Sequence, residues 1–169
     1  MENTEGIRLA QAIRQKRDEL KRLFEGIDER TASRAPAGRW SPKEILSHVC
    51  GPEGIGFMPS LQIFLEQDTP QLDIKPEDPF FSENRRQMAL SALLSEFERE
   101  YSRMAEFVKG LSEEQLSRSA HIPLLKETPI GEYPTLAQWI GAIGDYHLGF
   151  HIDHLKEILQ ALGKATTPS

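Results

Sequence analysis

The chain has 169 residues, of which 38% are hydrophobic and 27% charged, and its formal net charge is −6. This length suits one domain with a buried core, and the composition is that of a folded globular protein rather than a disordered chain. The acidic balance, with basic residues scattered among acids at helical spacing, excludes nucleic acid as an expected partner.

Cysteine usage and hydropathy indicate the compartment. Cys50 is the only cysteine, so a disulfide framework is excluded and a reducing environment is expected. The first residues lack the basic and apolar regions of a secretory signal. No apolar run approaches the ~18 residues of a membrane span. We therefore expect a cytoplasmic protein with no membrane partner.

The first helical pattern covers residues 4–30, where apolar residues recur at a period near 3.6 with charges between them. A connector containing proline and glycine follows at residues 31–39.

The second helix has a clear predicted start. Ser41 is a good N-cap, Pro42 suits the first helical position, and Glu44 completes a capping box. Gly51 and Pro52 should break this helix.

The helix should resume over residues 55–66. Residues 67–84 hold three prolines and no periodicity, which predicts a long loop. Its two aromatic residues, Phe80 and Phe81, either anchor the loop on the bundle surface or form an apolar wall of a pocket. We favour the surface anchor.

The second half of the chain predicts a third long helix over residues 85–109 and a short one over residues 112–118. A second connector spans residues 119–134, and Thr135 caps a last helix that ends near residue 163. Four long helical patterns without a convincing strand predict an all-α, four-helix bundle with long connecting loops, in a single domain over residues 1–169.

The last helix carries three histidines, His147, His151 and His154, on its apolar side. At 3.6 residues per turn they fall within an arc of about 60°. This arc continues the stripe of apolar residues from the start of the same helix, so the imidazoles face the core. Buried ring nitrogens require partners, and a divalent metal is the obvious candidate.

Two imidazoles on one helix need a third ligand from elsewhere, and His48 on the inner face of the second helix supplies it. The pair on the last helix is either His147 with His151 or His151 with His154, since both spacings reach one ion. His121 lies in a loop. Three histidines leave coordination positions open, which is typical of catalytic rather than structural sites.

The run Trp40-Ser41-Pro42-Lys43-Glu44-Ile45-Leu46-Ser47-His48, followed by His147-x-x-x-His151, resembles the DinB/YfiT-like family of four-helix metalloproteins. That family has one histidine on the second helix after a Trp-Ser start and an HxxxH pair on the last helix. The tail His151-Ile152-Asp153-His154-Leu155 also matches. The resemblance implies His48, His147 and His151 as metal ligands, with His154 nearby but not among them.

The resemblance also implies a range of chemistry. Some members are S-transferases that use a low-molecular-weight thiol, one is a maleylpyruvate isomerase, and others have no assigned reaction. A bound Zn²⁺, Ni²⁺ or Fe²⁺ would activate water or a thiol for hydrolysis or thiol transfer to a small-molecule substrate. The alternative is a binding or stress-response module with a structural histidine cluster. A homodimer in which the long loops close the partner's pocket is a third hypothesis.

Two further residues allow more than one interpretation. Glu44 lies one turn before His48 and could orient it, although its capping role already explains it. Cys50 could be a nucleophile, but its position about 200° around the helix from His48 favours a small buried hydrophobe.

Overall fold

The computed structural model describes residues 4–75 and 78–163, and the polar residues that follow the predicted end of the last helix near residue 163 lie outside the described residues. In chain order the helices are α1 (Thr4–Leu23), α2 (Glu29–Ala32), α3 (Pro42–Cys50), α4 (Met58–Glu66), α5 (Glu83–Gln87), α6 (Leu90–Lys109), α7 (Glu113–Leu116), α8 (Leu136–Gly141) and α9 (His147–Ala161). A 3₁₀ turn covers Pro123–Leu125, and one π-helical turn, Ala142–Tyr146, joins α8 to α9.

The predicted four-helix bundle is confirmed. Helix α1 packs against α6 and α9, and α3 packs against the same two helices. Their inner faces form an apolar core whose largest fully buried side chains include Ile13, Leu20, Ile45, Phe97, Tyr101 and Met104. Among residues 4–75 and 78–163, no helix has the length and apolar character needed to cross a lipid bilayer.

The long connectors pair with each other instead of forming strands. His121 donates its backbone N–H to the carbonyl of Pro70 at 2.7 Å, and its own carbonyl accepts from Leu72 at 2.8 Å. Among the described residues, isolated β-bridges pair Gln71 with His121 and Ser119 with Thr135.

The helix starts that have a capping residue are confirmed, because they depend on local chemistry. Ser41 and Glu44 form the expected capping box, with the Ser41 hydroxyl accepting from the Glu44 amide. Ser112 and Thr135 cap α7 and α8 in the same way. Each box satisfies backbone N–H groups that a helix leaves unpaired at its start.

The prediction of one helix over residues 4–30 is wrong at its end. Helix α1 ends at Leu23, and Gly26 adopts a positive φ of 76° that a helix cannot continue through. Asp28 then caps the separate short helix α2 by accepting from the Thr31 amide at 2.7 Å.

The prediction that the helix resumes over residues 55–66 also places its start too early in the chain. Helix α3 ends at Cys50, as the Gly51-Pro52 break predicts, but α4 begins only at Met58. Gly54 and Gly56 both have positive φ values in the intervening turn. A Cβ on Gly56 would lie 2.1 Å from a carboxylate oxygen of Glu100, so this turn packs closely on α6.

The predicted helix over residues 85–109 is two helices, because contacts from other elements interrupt it. Met88 and Ala89 are extended and separate α5 from α6. The buried Lys43 ammonium donates to the carbonyls of Arg86 and Met88, and the Glu29 carboxylate accepts from the Leu90 amide. These two side chains satisfy backbone groups at the break.

Candidate metal centre

His48 stands on the inner face of α3 with 6% of its surface exposed. Its Nδ1 lies 2.5 Å from the backbone carbonyl of Asp78. Because a carbonyl only accepts, Nδ1 carries the hydrogen and the neutral ring keeps the lone pair of Nε2 for another partner. This arrangement is the usual support of a metal-binding histidine.

The π-helical turn sets the approach of the last helix to the bundle. Gly144 in this turn packs so tightly on α1 that a Cβ there would lie 2.6 Å from Cγ1 of Ile13. π-Helical turns add a residue to one turn of a helix and occur often at functional sites. Here the turn ends at Tyr146, immediately before the first histidine of α9.

The structure brings together His48, His147 and His151. Each offers one ring nitrogen, and the three nitrogens lie within 4.8 Å of one another. The Nε2 atoms of His48 and His147 are 2.9 Å apart, and His151 is 6% exposed. The i,i+4 pair of α9 therefore faces the single histidine of α3, and these are the three histidines that the family resemblance names.

Burial keeps the two triad imidazoles of α9 neutral near pH 7. It lowers the pKa of His147 to about 4, with the nearby His48 ring adding to the effect. Burial also lowers the pKa of His151, to about 2, and the nearby His147 and His48 rings add to the effect. Neutral imidazole is the form that binds metal ions.

The hydrogen bonding of the triad fits a metal ion. The Nδ1 of His147 is buried and has no hydrogen-bond partner among the described residues. When the hydrogen of the neutral His147 ring is on Nδ1, the lone pairs of the two Nε2 atoms of His147 and His48 face each other. Two nitrogens 2.9 Å apart can both bind one ion at the usual distance of about 2.1 Å.

The loop after residue 77 supports His48, and sequence reasoning missed how. Phe80, with a positive φ of 50°, stacks its ring on the His48 imidazole at 5.9 Å between centroids. The Phe80 carbonyl accepts from the Ser47 hydroxyl at 3.0 Å. The Phe80 amide donates to the Asp78 carboxylate at 2.8 Å. The preference for a surface anchor is therefore corrected for Phe80, which lies against a site residue.

The buried Arg85 side chain holds this loop by hydrogen bonds. It is fully buried, and its guanidinium donates to the carbonyls of Gly51 and Phe80 and, at 2.6 Å, to the Glu96 carboxylate. An arginine directly after a polar loop gives no sequence signal for this role. Arg85 contacts Ser47 and Glu96 only in the folded chain, and its distance from them along the sequence does not indicate these contacts.

The remaining candidate residues have different surroundings. Nδ1 of His154 lies 3.2 Å from Nδ1 of His151, at the edge of the triad. The Glu44 carboxylate accepts from the Ser41 amide at 3.1 Å, which is its capping role. Burial raises the pKa of the Cys50 thiol far above its ordinary value, so it stays protonated. His121 pairs with Glu132 at 3.1 Å, within the second connector.

Comparisons with known proteins agree with this architecture. The family model of the DinB superfamily matches residues 12–155. The fold matches YfiT from Bacillus subtilis, described as a probable metal-dependent hydrolase with an unusual four-helix bundle topology, with a TM-score of 0.75 at 19% identity. That match covers 98% of this chain and 92% of YfiT. No curated protein matches the sequence significantly. The match over residues 12–155 shows that the chain belongs to the DinB superfamily.

Proposed function

We propose that this chain is a metal-dependent hydrolase in which His48, His147 and His151 hold one divalent ion. The observation that carries the proposal is the convergence of three histidine ring nitrogens from two helices within 4.8 Å of one another. The description of YfiT as a probable metal-dependent hydrolase supports the same chemistry. Zn²⁺, Ni²⁺ and Fe²⁺ all suit an all-imidazole site.

The protein's own residues prepare the ligands. The Asp78 carbonyl holds the hydrogen of His48 on Nδ1, which directs Nε2 toward His147. His154 can accept the Nδ1 hydrogen of His151, which leaves the other nitrogen of His151 for the ion. These three protein ligands would leave coordination positions open, and a divalent ion held by them would supply the means to activate a water near neutral pH.

A panel of small esters, amides and lactones tests the proposal. The full chain loaded separately with Zn²⁺, Ni²⁺ and Fe²⁺ should hydrolyse at least one class, and His151→Ala should lose that activity. His121→Ala is the matched control, because this histidine pairs with Glu132 in the connector. Activity that survives in His151→Ala at full rate would contradict the proposal.

Thiol transfer is the alternative that uses the same ligands, and adding a low-molecular-weight thiol to the panel separates it from hydrolysis. A structural role for the cluster predicts a different result. Chelation would then lower the melting temperature strongly and no substrate would turn over.

A further inference from the structure

Aromatic rings cover His48 on two sides. Trp40, immediately before the N-cap of α3, places its ring centroid 5.1 Å from that of His48. Phe80 lies 5.9 Å away with its ring parallel to the imidazole, at an interplanar angle of 4°. The only ligand from α3 is therefore flanked by carbon-rich surfaces from two different segments of the chain.

The other two ligands have aromatic neighbours as well. The ring of Phe57 meets His147 edge to face at 6.2 Å between centroids. Phe150 meets His151 in the same manner at 5.1 Å. Phe57 also contacts Phe80 at 6.5 Å, so these rings are continuous with those around His48. We call the set of Trp40, Phe57, Phe80 and Phe150 the aromatic wall.

The aromatic wall differs from the core in its exposure. The core aromatics Phe64, Phe97 and Tyr101 are fully buried. Phe150 is 58% exposed, and the other three members of the wall are only half-buried. Packing of the bundle alone does not explain rings that surround the triad and still keep part of their surface open. Their open surface is available to a ligand that reaches the histidines.

The chemistry of the wall selects a class of ligand. A flat apolar group gains from burial and from stacking on these rings. A carboxylate would be attracted to the divalent ion and not to the three phenyl rings of the wall, which offer it no hydrogen-bond donor. A cationic group would be repelled by a divalent ion held by the adjacent triad.

We propose that the aromatic wall is a binding subsite for substrates that carry an uncharged aromatic group next to the bond that is cleaved. This inference rests on the proposed metal-dependent hydrolase and names its substrate class.

The test compares two probes with the same metal-chelating head group, acetohydroxamic acid and benzohydroxamic acid. Calorimetry on the zinc-loaded full chain gives both affinities, each corrected for the affinity of the probe for free Zn²⁺. We expect benzohydroxamic acid to bind at least about tenfold more tightly, because only its phenyl ring can be buried on the wall. Equal corrected affinities would overturn the subsite and leave the metal site standing.

Variants of the aromatic wall test whether these rings cause the preference for benzohydroxamic acid. Phe150→Ala removes a largely exposed ring and should reduce the ratio of affinities at least about threefold, with unchanged zinc content. Phe57→Leu keeps an apolar side chain of similar size and should also reduce the ratio. Tyr133→Ala is the control, since this exposed ring stacks on His121 in the connector. A ratio unchanged in both wall variants would overturn the proposal. A chain that binds no zinc would overturn both this proposal and the hydrolase.

Discussion

Replacing Arg85 by Met should weaken metal binding, although Arg85 does not touch the ligand nitrogens. The guanidinium donates to the carbonyls of Gly51 and Phe80 and to the carboxylate of Glu96. The Arg85 side chain is 1% exposed and that of Glu96 is 21% exposed. Methionine fills much of the space but supplies no donor, so these three acceptors lose the guanidinium, although the Phe80 carbonyl retains the Ser47 hydroxyl.

The size of the effect follows from this burial. Removing one partner of a buried ion pair costs about 3–5 kcal/mol of the free energy of unfolding. The same change removes the Arg85 hydrogen bond to the Phe80 carbonyl, two residues after the Asp78 carbonyl that holds His48. Loss of the groups that orient a metal-binding histidine weakens metal affinity about 10- to 100-fold. We expect both effects in Arg85→Met.

Urea unfolding of the metal-free protein measures the first effect, and competition with a chromophoric zinc chelator measures the second. Arg86→Met is the matched control, because the neighbouring Arg86 side chain is 62% exposed and contacts the exposed Glu83 and the Phe81 ring but not the buried carbonyls that Arg85 holds. Its unfolding free energy should change by less than about 0.5 kcal/mol. Glu96→Gln keeps an acceptor of similar shape and should give a smaller loss than Arg85→Met. Parent-like zinc affinity in folded Arg85→Met would refute the reasoning.

Three further predictions concern stability. Gly144→Ala forces a Cβ to 2.6 Å from Ile13 and should cost about 1–3 kcal/mol in urea unfolding, whereas Gly141→Ala has open space and should not destabilise. Ser41→Ala removes the cap of α3 and should cost about 0.5–2 kcal/mol. The folded-state pKa of His147 is lowered to about 4 from 6.5, so below pH 6.5 the unfolded chain binds more protons than the folded one. The metal-free protein should therefore lose stability as the pH falls from about 6.5 to 4, and less so in His147→Gln; a flat profile would contradict the shift.

Local sequence chemistry predicted the helix starts and the histidine stripe. Ser41 and Thr135 cap through contacts three residues away, and those contacts are readable without tertiary information. His147 and His151 continue the apolar period of the last helix, and the side facing the core is fixed by that period. The break in the second helix followed from Pro52 and the preceding glycine.

The features that sequence did not predict depend on contacts between distant segments. The interruption between α5 and α6 is held by Lys43 and Glu29, which lie far away in the chain. The support of His48 by Arg85 needs the path of the loop before α5, and this path is set by tertiary hydrogen bonds. The close packing of Gly144, in the π-helical turn, on Ile13 is also a contact between distant segments. The periodicity of apolar residues along the sequence does not indicate these contacts.

The metal content of the purified chain tests the central claim most directly. Elemental analysis of untagged protein, prepared without a chelating column and reconstituted with Zn²⁺, Ni²⁺ or Fe²⁺, should find about one equivalent of metal per chain. The variant His48→Ala/His147→Ala/His151→Ala should bind none, while His121→Ala should bind as the parent does. Full metal occupancy in the triple variant, or a parent chain that takes up no metal, would contradict the account.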